Sequence, residues 1–491
     1  MTIFHLTIIA TIIITIIIGI IAGKFVKGNT SNYMIAGKKL GFLFVALAIV
    51  SQAIDGNATM GNTGLAQDFG FWAGAVLPIG LAISIFILGA FFAKKLNSSN
   101  ALTLIDIFEA RYQRKVSFMA AIIALFGFGI LLAGNVALGA LLAQTFFAIK
   151  YESAVIVICL AVCLYCFRGG IISDIWSDIF QMFVLVASMV GVSIYLVINY
   201  DILNNFFSTF QAAAGSAQMF TISGGGLINW ASLIALGFGN IIAIDFVQRI
   251  FAARSPKAAQ RGCYLAGFLT LLIGIPFSLL AISLAQINAG NDTALTFFDF
   301  TQTILPPWLG ALLISGVICA ALSTVDGAIL SMSNILTRNI LNIKPELETQ
   351  EPQQAEQTAL YFLRLSTIPI ACCAMIFAIL LPSPGILLSV AFDLTFAGLL
   401  IPFIFALFWP NFSNNQAALY AMIVGIGSRA FFATLTPTAF GLTNPFYITN
   451  NFFPASLDGL GTMIAPLLAL ATYLIIAFGS KITKKYIYGT K

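Results

Sequence analysis

The polar residues in the stretch SQAIDGNATMGNTG (51–64) interrupt a long apolar segment and could bind a cation or a polar solute. Asp55 supplies a carboxylate, Gly56 weakens a helix interior by about 1 kcal/mol, and Asn57 competes for backbone hydrogen bonds. Asp55 lies about 14 residues into its segment, roughly 21 Å deep at a rise of 1.5 Å per residue. A carboxylate at that depth needs a partner, a cation or a proton. The trio predicts a helix that unwinds beside a cavity inside a membrane. The sequence also permits a purely structural role, in which Asp55 only fixes the packing of a neighbouring helix.

A second interruption is predicted in IALGFGNIIAIDFVQR, where Gly237, Gly239 and Asn240 repeat the pattern of small and amide residues. Two glycine-interrupted apolar segments in corresponding positions are the best sequence pointer to the binding site of a transporter. The alternative is that these glycines serve only close helix packing. Asp245 follows closely, and its spacing predicts an ion pair with Arg249 one turn later.

Oxygen-bearing side chains recur in CAALSTVDGAILSMSN, where Ala320, Ser323 and Thr324 share one helix face. Two hydroxyls and a carbonyl suit a hard monovalent cation, although Ser and Thr often bond back to their own helix. In FRGGIISDIWSDIFQ, Asp178 opens a segment, either as a partner of the helix dipole or on a permeation path. Asp326 and Asp393 also fall within apolar segments.

The composition requires that these residues be positioned by membrane helices. Of the 491 residues, 60% are hydrophobic and 8% are charged, too few charges for the surface of a soluble protein of this size. Stretches of about 20 apolar residues recur along the chain, each long enough to cross a bilayer. We predict thirteen segments: 3–23, 41–63, 70–93, 117–148, 151–168, 176–199, 228–252, 262–288, 306–337, 359–382, 384–409, 416–436 and 458–479.

The distribution of Lys and Arg tests this count. With the N-terminus outside and the C-terminus in the cytoplasm, 21 of the 23 basic residues fall in cytoplasmic loops, leaving Lys150 and Arg429 on the outer side. This asymmetry satisfies the positive-inside rule and predicts a multi-pass protein of the cell membrane. The net charge of +5 follows from the inner loops and requires no nucleic acid. The polar stretch 344–357 is predicted to be a solvated cytoplasmic linker.

Five segments beginning at each interrupted one would form two halves of opposite orientation, because five is odd. We therefore divide the chain into an extra helix and loop (1–40), a first five-helix repeat (41–227), a second inverted repeat (228–410) and accessory helices with a tail (411–491). Neither a nucleophile–base pair nor a phosphate loop is evident, so we expect no enzyme and no ATP-driven pump.

Several stretches carry a family resemblance: SNYMIAGKKLG, FFAKKL, GGIISDIWSDIFQ, IDFVQRIFAARSPKAAQRG and AALSTVDGAILSMSN. Over roughly residues 1–480 the chain resembles the sodium/solute symporter family, particularly its choline- and proline-transporter-like branches. The resemblance implies an all-α LeuT-type fold of five-plus-five inverted repeats with two broken helices, and alternating access. It also implies a sodium (Na+) site made by carbonyls and hydroxyls of Ala53, Gly56, Ala320, Ser323 and Thr324.

The same resemblance places Asp178 on the inward exit path of sodium and Asp55 near ion or substrate. Choline-transporting members are rich in tryptophan around the substrate, whereas this chain has Leu131, Leu132 and Ala243 there and keeps Trp72. This departure argues against a quaternary ammonium substrate. The expected substrate residues are Gln52, Asp55, Asn57, Trp72, Asn135, Gly237, Gly239 and Asn240.

The expected function is sodium-coupled symport of a small organic solute into the cell, with an amino acid or a related amine or carboxylate favoured. The expected partners are the solute, sodium and the lipid bilayer, with no oligomer required. Three alternatives stay open: a membrane solute sensor without appreciable transport, a passive channel, and a proton-coupled symporter. The single histidine, His5, weakly favours a metal cation over a proton.

Overall fold

A computed structural model describes residues 2–26, 28–200, 211, 217–221, 225–287, 295–347, 350–380, 385–438 and 447–488. The side chains of 163–168, 217–218 and 481–488 lie outside this description. The described chain is helical, and its β-structure is limited to an isolated bridge between Leu40 and Ala253. The predicted all-α fold is therefore confirmed.

The membrane helices are numbered in chain order as follows: α1 Ile3–Gly23, α2 Phe42–Ala53, α3 Asn57–Phe69, α4 Phe71–Asn97, α5 Arg114–Phe147, α6 Tyr151–Val162, α7 Gly169–Asn199, α8 Gly226–Ile242, α9 Ile244–Ala252, α10 Pro256–Ile287, α11 Pro307–Ile335, α12 Pro352–Leu380, α13 Ile386–Phe408, α14 Asn415–Leu435 and α15 Leu460–Tyr488.

Among the described residues, ten helices are long and apolar enough to cross a membrane alone, and two bent pairs raise the number to twelve. The remaining predicted segment, 151–168, contains α6, which is shorter than a full span and runs into α7 through Gly170. Gly170, the second residue of α7, has a φ of +54°, which marks a kink close to where α6 runs into α7. The count of thirteen spans thus stays a prediction, as do the domain boundaries.

Both predicted interruptions are present. The helix α2 ends where Ile54 leaves the helical region at φ −95° and ψ 72°, and α3 continues at an angle of 58° to α2. The helix α8 ends before Ala243, which has extended ψ of 116°, and α9 continues at 42°. Each pair is one span broken near its middle.

The broken spans lie within the packed bundle. The helix α2 packs against α10, and its carboxyl end contacts α7 and α11. The helix α7 packs along α11, and α5 packs against α13. The helices α14 and α15 pack on each other and on α13. The first break is bordered by α4, α5, α10, α11 and α13, and α7 contacts the last turn of α2.

A backbone bridge joins the two broken spans at one end. The amide of Leu40, just before α2, donates to the carbonyl of Ala252 at 3.1 Å, and the amide of Arg254 donates to the carbonyl of Leu40 at 2.8 Å. The side-chain amide of Asn97 adds bonds to the carbonyls of Ile250 (2.9 Å) and Ala253 (2.8 Å). The start of α2 and the end of α9 are therefore tied directly to each other.

Candidate functional site

The first break is held by a hydrogen-bond network centred on Asp55. Its carboxylate accepts from the Ala58 amide at 2.7 Å, from Asn57 Nδ2 at 2.7 Å and from Asn135 Nδ2 at 2.8 Å. Asp55 is 1% exposed. The carboxylate thus caps α3 and anchors it to α5, as the structural role considered from the sequence would require.

The two asparagines extend this network to other elements. Asn135 Oδ1 accepts from the Gly56 amide at 2.9 Å, so α5 binds both the Asp55 side chain and the unwound backbone that follows it. Asn57 Oδ1 accepts from the Gly385 amide, also at 2.9 Å, at the start of α13. A backbone freed from its helical ladder must find such partners when it is buried. The predicted group of Asp55, Asn57 and Asn135 is therefore brought together.

The predicted sodium ligands meet where α2 ends against α11. Ser323 Oγ donates to the Ser51 carbonyl at 3.0 Å and to the Ala320 carbonyl at 2.9 Å. Thr324 Oγ1 donates to the Gln52 carbonyl at 3.4 Å. The hydroxyls of α11 thus face the last carbonyls of α2, which lose their helical donors at the break. The set is uncharged and rich in oxygen.

Gly56 permits this close approach. A Cβ atom at Gly56 would lie 2.3 Å from Leu138 Cδ2 and 3.0 Å from Ala321 Cβ, on α5 and α11. Its carbonyl accepts from Thr59 Oγ1 at 3.2 Å, and Ala53 is the last residue of α2. The two carbonyls expected to bind sodium, those of Ala53 and Gly56, therefore flank the unwound turn.

Asp178 lies one helix away from the break and contacts α2. Its carboxylate accepts from Ser51 Oγ at 2.7 Å and from Gln52 Nε2 at 3.3 Å, and Gln52 Nε2 also donates to the Ser323 carbonyl at 2.7 Å. Ser51 and Gln52 thus connect the carbonyl and hydroxyl set directly to Asp178.

Asp178 belongs to a buried acidic cluster with Asp174 and Asp326, and one carboxylate oxygen from each of the three lies within 4.8 Å of the other two. Arg249 of α9 faces this cluster, with Nη2 at 2.5 Å from Asp174 and 3.5 Å from Asp178. The predicted carboxylate pair between Asp245 and Arg249 is wrong. The contact of Arg249 with Asp245 is limited to the backbone carbonyl, at 3.2 Å, because the guanidinium turns toward Asp174 and Asp178 on α7.

The sequence prediction missed Asp174 as part of the site. Its signal was present in SDIWSD, where Asp174 and Asp178 are four residues apart and so share a helix face. Their common partner Arg249 is 75 positions from Asp174 in the chain. Sequence spacing alone therefore does not reveal this pairing.

The second break is held mainly by close packing. A Cβ atom at Gly239 would lie 2.3 Å from the Phe392 carbonyl oxygen on α13, whereas one at Gly237 would first meet Ile83, at 3.4 Å. Asn240 Nδ2 donates to the Leu236 carbonyl of its own helix at 2.9 Å, while its buried Oδ1 has no hydrogen-bond partner among the described residues. Trp72 instead packs in an apolar cluster with Phe71 and Ile282.

An all-helical membrane protein with two broken spans, and with neutral oxygens gathered beside the first break, has the architecture of a cation-coupled secondary transporter. Comparison with known proteins agrees. A Na+-coupled sialic acid symporter of known structure matches with a TM-score of 0.76 at 19% identity, covering 97% of this chain and 98% of that one. This likeness shows the LeuT-type fold.

Sequence comparison defines the family. The profile of the sodium:solute symporter family matches residues 33–425. The sodium/proline symporter of Haemophilus influenzae is 24% identical over 426 residues, covering 82% of each chain. The sodium/pantothenate symporter of Escherichia coli is 25% identical over 420 residues, covering 82% of this chain and 85% of the relative. The chain belongs to the sodium:solute symporter family, and sodium is its coupling ion. It is a transporter and not an enzyme.

Proposed function

We propose that this symporter carries a small organic solute, an amino acid or a related amine or carboxylate, into the cell together with sodium by alternating access. The observation that carries this proposal is the meeting of the Ser323 and Thr324 hydroxyls with the carbonyls at the end of α2. In the proposed orientation the N-terminus is outside and the C-terminus is cytoplasmic, so the sodium gradient drives inward movement.

Sodium in this proposal binds to the carbonyls of Ala53, Gly56 and Ala320 and to the hydroxyls of Ser323 and Thr324. The hydroxyl protons now point at carbonyls, and they would turn away to present oxygen lone pairs to a cation. Because these ligands come from both sides of the break and from α11, a bound cation would fix the relative position of the broken span and α11. That differential contact is what coupling requires.

Asp178 is proposed as the first acceptor of sodium on its way to the cytoplasm. Ser51 and Gln52 link the binding set to Asp178, and three clustered carboxylates face one guanidinium, that of Arg249. With all four groups ionised, the cluster has a net charge of −2, and this negative charge attracts a cation. Sodium would therefore pass from neutral ligands to charged ones as the inner side opens.

The solute in this proposal lies between the two breaks. Gln52 Oε1 and Asn240 Oδ1 are buried, one beside each break, and neither has a hydrogen-bond partner among the described residues. Unpaired buried acceptors favour a solute with N–H donors, such as an amine. The remaining proposed lining is Asp55, Asn57, Trp72, Asn135, Gly237 and Gly239.

The test uses purified protein in liposomes. Uptake of each of the twenty radiolabelled amino acids is measured with an inward sodium gradient, with potassium in its place, and with a proton gradient alone. We expect at least one amino acid to accumulate only with the sodium gradient. Accumulation driven by the proton gradient alone would identify a proton-coupled symporter, and sodium-dependent binding without accumulation would identify a sensor. Downhill flux that ignores sodium would identify a channel.

A further inference from the structure

A polar groove on the predicted cytoplasmic side shares no lining residue with either break. It has a volume of about 830 Å³, within the roughly 300–1,000 Å³ of small-molecule sites. One wall is the first part of α12, and the other is the chain after α1, at Gly28 and Asn29. The polar side chains that line the groove are those of Asn29, Gln353, Glu356, Gln357, Tyr361 and Arg364. The groove therefore has the room and the polar partners for a small charged group.

The two charged groups of the groove are placed by the spacing of α12. Glu356 and Arg364 lie on one ridge of the helix, with Leu360 between them at the four-residue spacing. Their Cα atoms are about 12 Å apart along the helix axis. Each side chain reaches several ångströms from its Cα atom, so the groove presents a carboxylate and a guanidinium to the two ends of one ligand.

Both charged groups have hydrogen-bonding capacity to spare. Glu356 Oε2 accepts from the Thr30 amide at 2.8 Å, which leaves Glu356 Oε1 for another donor. Arg364 is half-buried and is not among the ion pairs of the described residues. Its Nε is buried and has no hydrogen-bond partner within the described part of the chain. A buried guanidinium nitrogen without an acceptor costs free energy, so it points to a ligand that supplies an oxygen.

The groove lies where α12 enters the lipid. Arg364 is the last charged residue before the apolar remainder of α12, residues 365–380. The ridges that line the groove continue into Leu365, Ile368 and Ile376, which are 39%, 46% and 55% exposed. An apolar face that is exposed within a membrane span contacts acyl chains. A lipid whose chains lie on this face has its headgroup at the level of Arg364 and the groove.

We propose that this groove binds the headgroup of a phospholipid of the phosphatidylethanolamine type, whose phosphate binds Arg364 and whose ammonium binds Glu356. One guanidinium and one carboxylate match the two charges of this headgroup, whereas a headgroup with phosphate alone leaves the carboxylate uncompensated. The side-chain amides of Gln353 and Gln357 add neutral donors for the phosphate. A primary ammonium donates hydrogen bonds to the carboxylate and a choline headgroup donates none, so the site distinguishes these two lipids.

The groove contains none of the sodium or solute residues proposed above, so lipid binding and transport are separate properties. A bound headgroup contacts both α12 and the chain after α1, beside the hydrogen bond between Glu356 and Thr30. We therefore expect the lipid to raise the thermal unfolding midpoint when it binds.

The experiment adds phospholipids with identical acyl chains to the purified transporter in detergent and measures bound lipid by native mass spectrometry. Phosphatidylethanolamine should bind with about tenfold higher apparent affinity than phosphatidylcholine or phosphatidylglycerol. Arg364→Gln should weaken its binding about tenfold, and Glu356→Gln should remove its preference over phosphatidylglycerol. The control is Arg111→Gln, an exposed basic residue on the same predicted side but outside the groove, which should change neither.

A third variant fills the groove without removing a charge. Gln357→Trp, at an exposed position that accommodates a large side chain, should weaken phosphatidylethanolamine binding as Arg364→Gln does. The proposal is overturned if the three lipids bind the wild type equally, or if the preference survives in both Gln357→Trp and Arg364→Gln. Soluble phosphoethanolamine is the last competitor. If it displaces the lipid at equal concentration, the acyl chains contribute nothing and the assignment to a membrane lipid is wrong.

Discussion

The two broken spans solve the same problem by different means. At the first break, Asn135 accepts from the freed Gly56 amide, and the Asp55 carboxylate accepts from Asn57, Asn135 and the Ala58 amide. At the second, Gly239 lets the backbone of α8 pack directly against α13. Hydrogen bonds can be exchanged for ion or solute contacts at little net cost, whereas a close-packed contact offers no such exchange. The first break is therefore suited to respond to a ligand, and the second to keep its shape.

The largest effect is expected from breaking the polar network. Asp55→Ala leaves three buried donors without an acceptor, those of Ala58, Asn57 and Asn135. At about 1–3 kcal/mol for each unsatisfied donor, the loss is large enough to unfold the break. We expect a much lower thermal unfolding midpoint and no sodium-driven uptake, measured on the same preparation.

Asp55→Asn separates charge from packing. Its amide would set an NH₂ group against the NH₂ groups of Asn57 and Asn135, or else face the Ala58 amide, so at least one donor loses its acceptor. We expect reduced stability and loss of sodium-coupled uptake. If uptake and its sodium dependence both survive in Asp55→Asn, the central place given to this carboxylate is wrong.

The second break is tested by a matched pair of glycines. Gly239→Ala puts a Cβ atom 2.3 Å from a backbone oxygen of Phe392, whereas Gly237→Ala makes ordinary contacts at 3.4 Å. Overpacking typically destabilises by about 1–3 kcal/mol. We expect Gly239→Ala to lower the unfolding midpoint and Gly237→Ala to leave it nearly unchanged. Equal behaviour of the two variants would mean that close packing does not hold this break.

Thr324→Ala tests whether the first break binds sodium, as proposed. Loss of one oxygen ligand should weaken the apparent sodium affinity about tenfold, equivalent to about 1.4 kcal/mol. Uptake should recover partly at high sodium concentration. The control is Thr270→Ala on α10, a buried threonine that bonds its own helix. A similar sodium shift in both variants would remove Thr324 from the site.

The smallest effect concerns Asp106, a carboxylate outside both breaks. Burial opposes its ionisation, but the Arg338 guanidinium, the Leu102 amide and Asn339 together hold the pKa of Asp106 below its ordinary value of 3.8. A lowered folded-state pKa stabilises the folded protein at any pH above the ordinary pKa of the carboxyl. This stabilisation is lost as the pH falls through the folded-state pKa. Asp106→Asn should cost about 1 kcal/mol at neutral pH. Unfolding measured against pH should show the difference from wild type vanish in acid, and a constant difference would contradict the assignment.

The positions of both breaks could be predicted from the sequence because glycine and amide residues inside apolar segments leave a local signature. The predicted start of the second segment at 41 lies one residue from Phe42. Segment 359–382 was placed too late, since α12 begins at Pro352 inside the polar stretch predicted as a linker. Hydropathy detects the part of a helix that lies in lipid, and not its polar extension.

The site was predicted only as far as local spacing reaches. Ser323 and Thr324 share a face with Ala320, and the fold places that face against α2. The choice of Arg249 between Asp245 and Asp174 depends on how α9 and α7 pack. From local spacing, Asp245 is the expected ion-pair partner of Arg249 because it lies one turn away. In the packed structure the Arg249 guanidinium pairs with Asp174 instead.

The backbone bridge at Leu40 has a mechanical consequence. Hydrogen bonds of Leu40 with Ala252 and Arg254 join the start of the first broken span to the end of the second, and the Asn97 side chain adds two more bonds there. Because α2 and α9 are bonded at the bridge, they must move together there, while α3 and α8 at the other ends of the broken spans can still separate. Tilting either half-helix near the bridge would carry the other with it, so a movement of α2 on the proposed binding of sodium would be passed to α9 through the backbone.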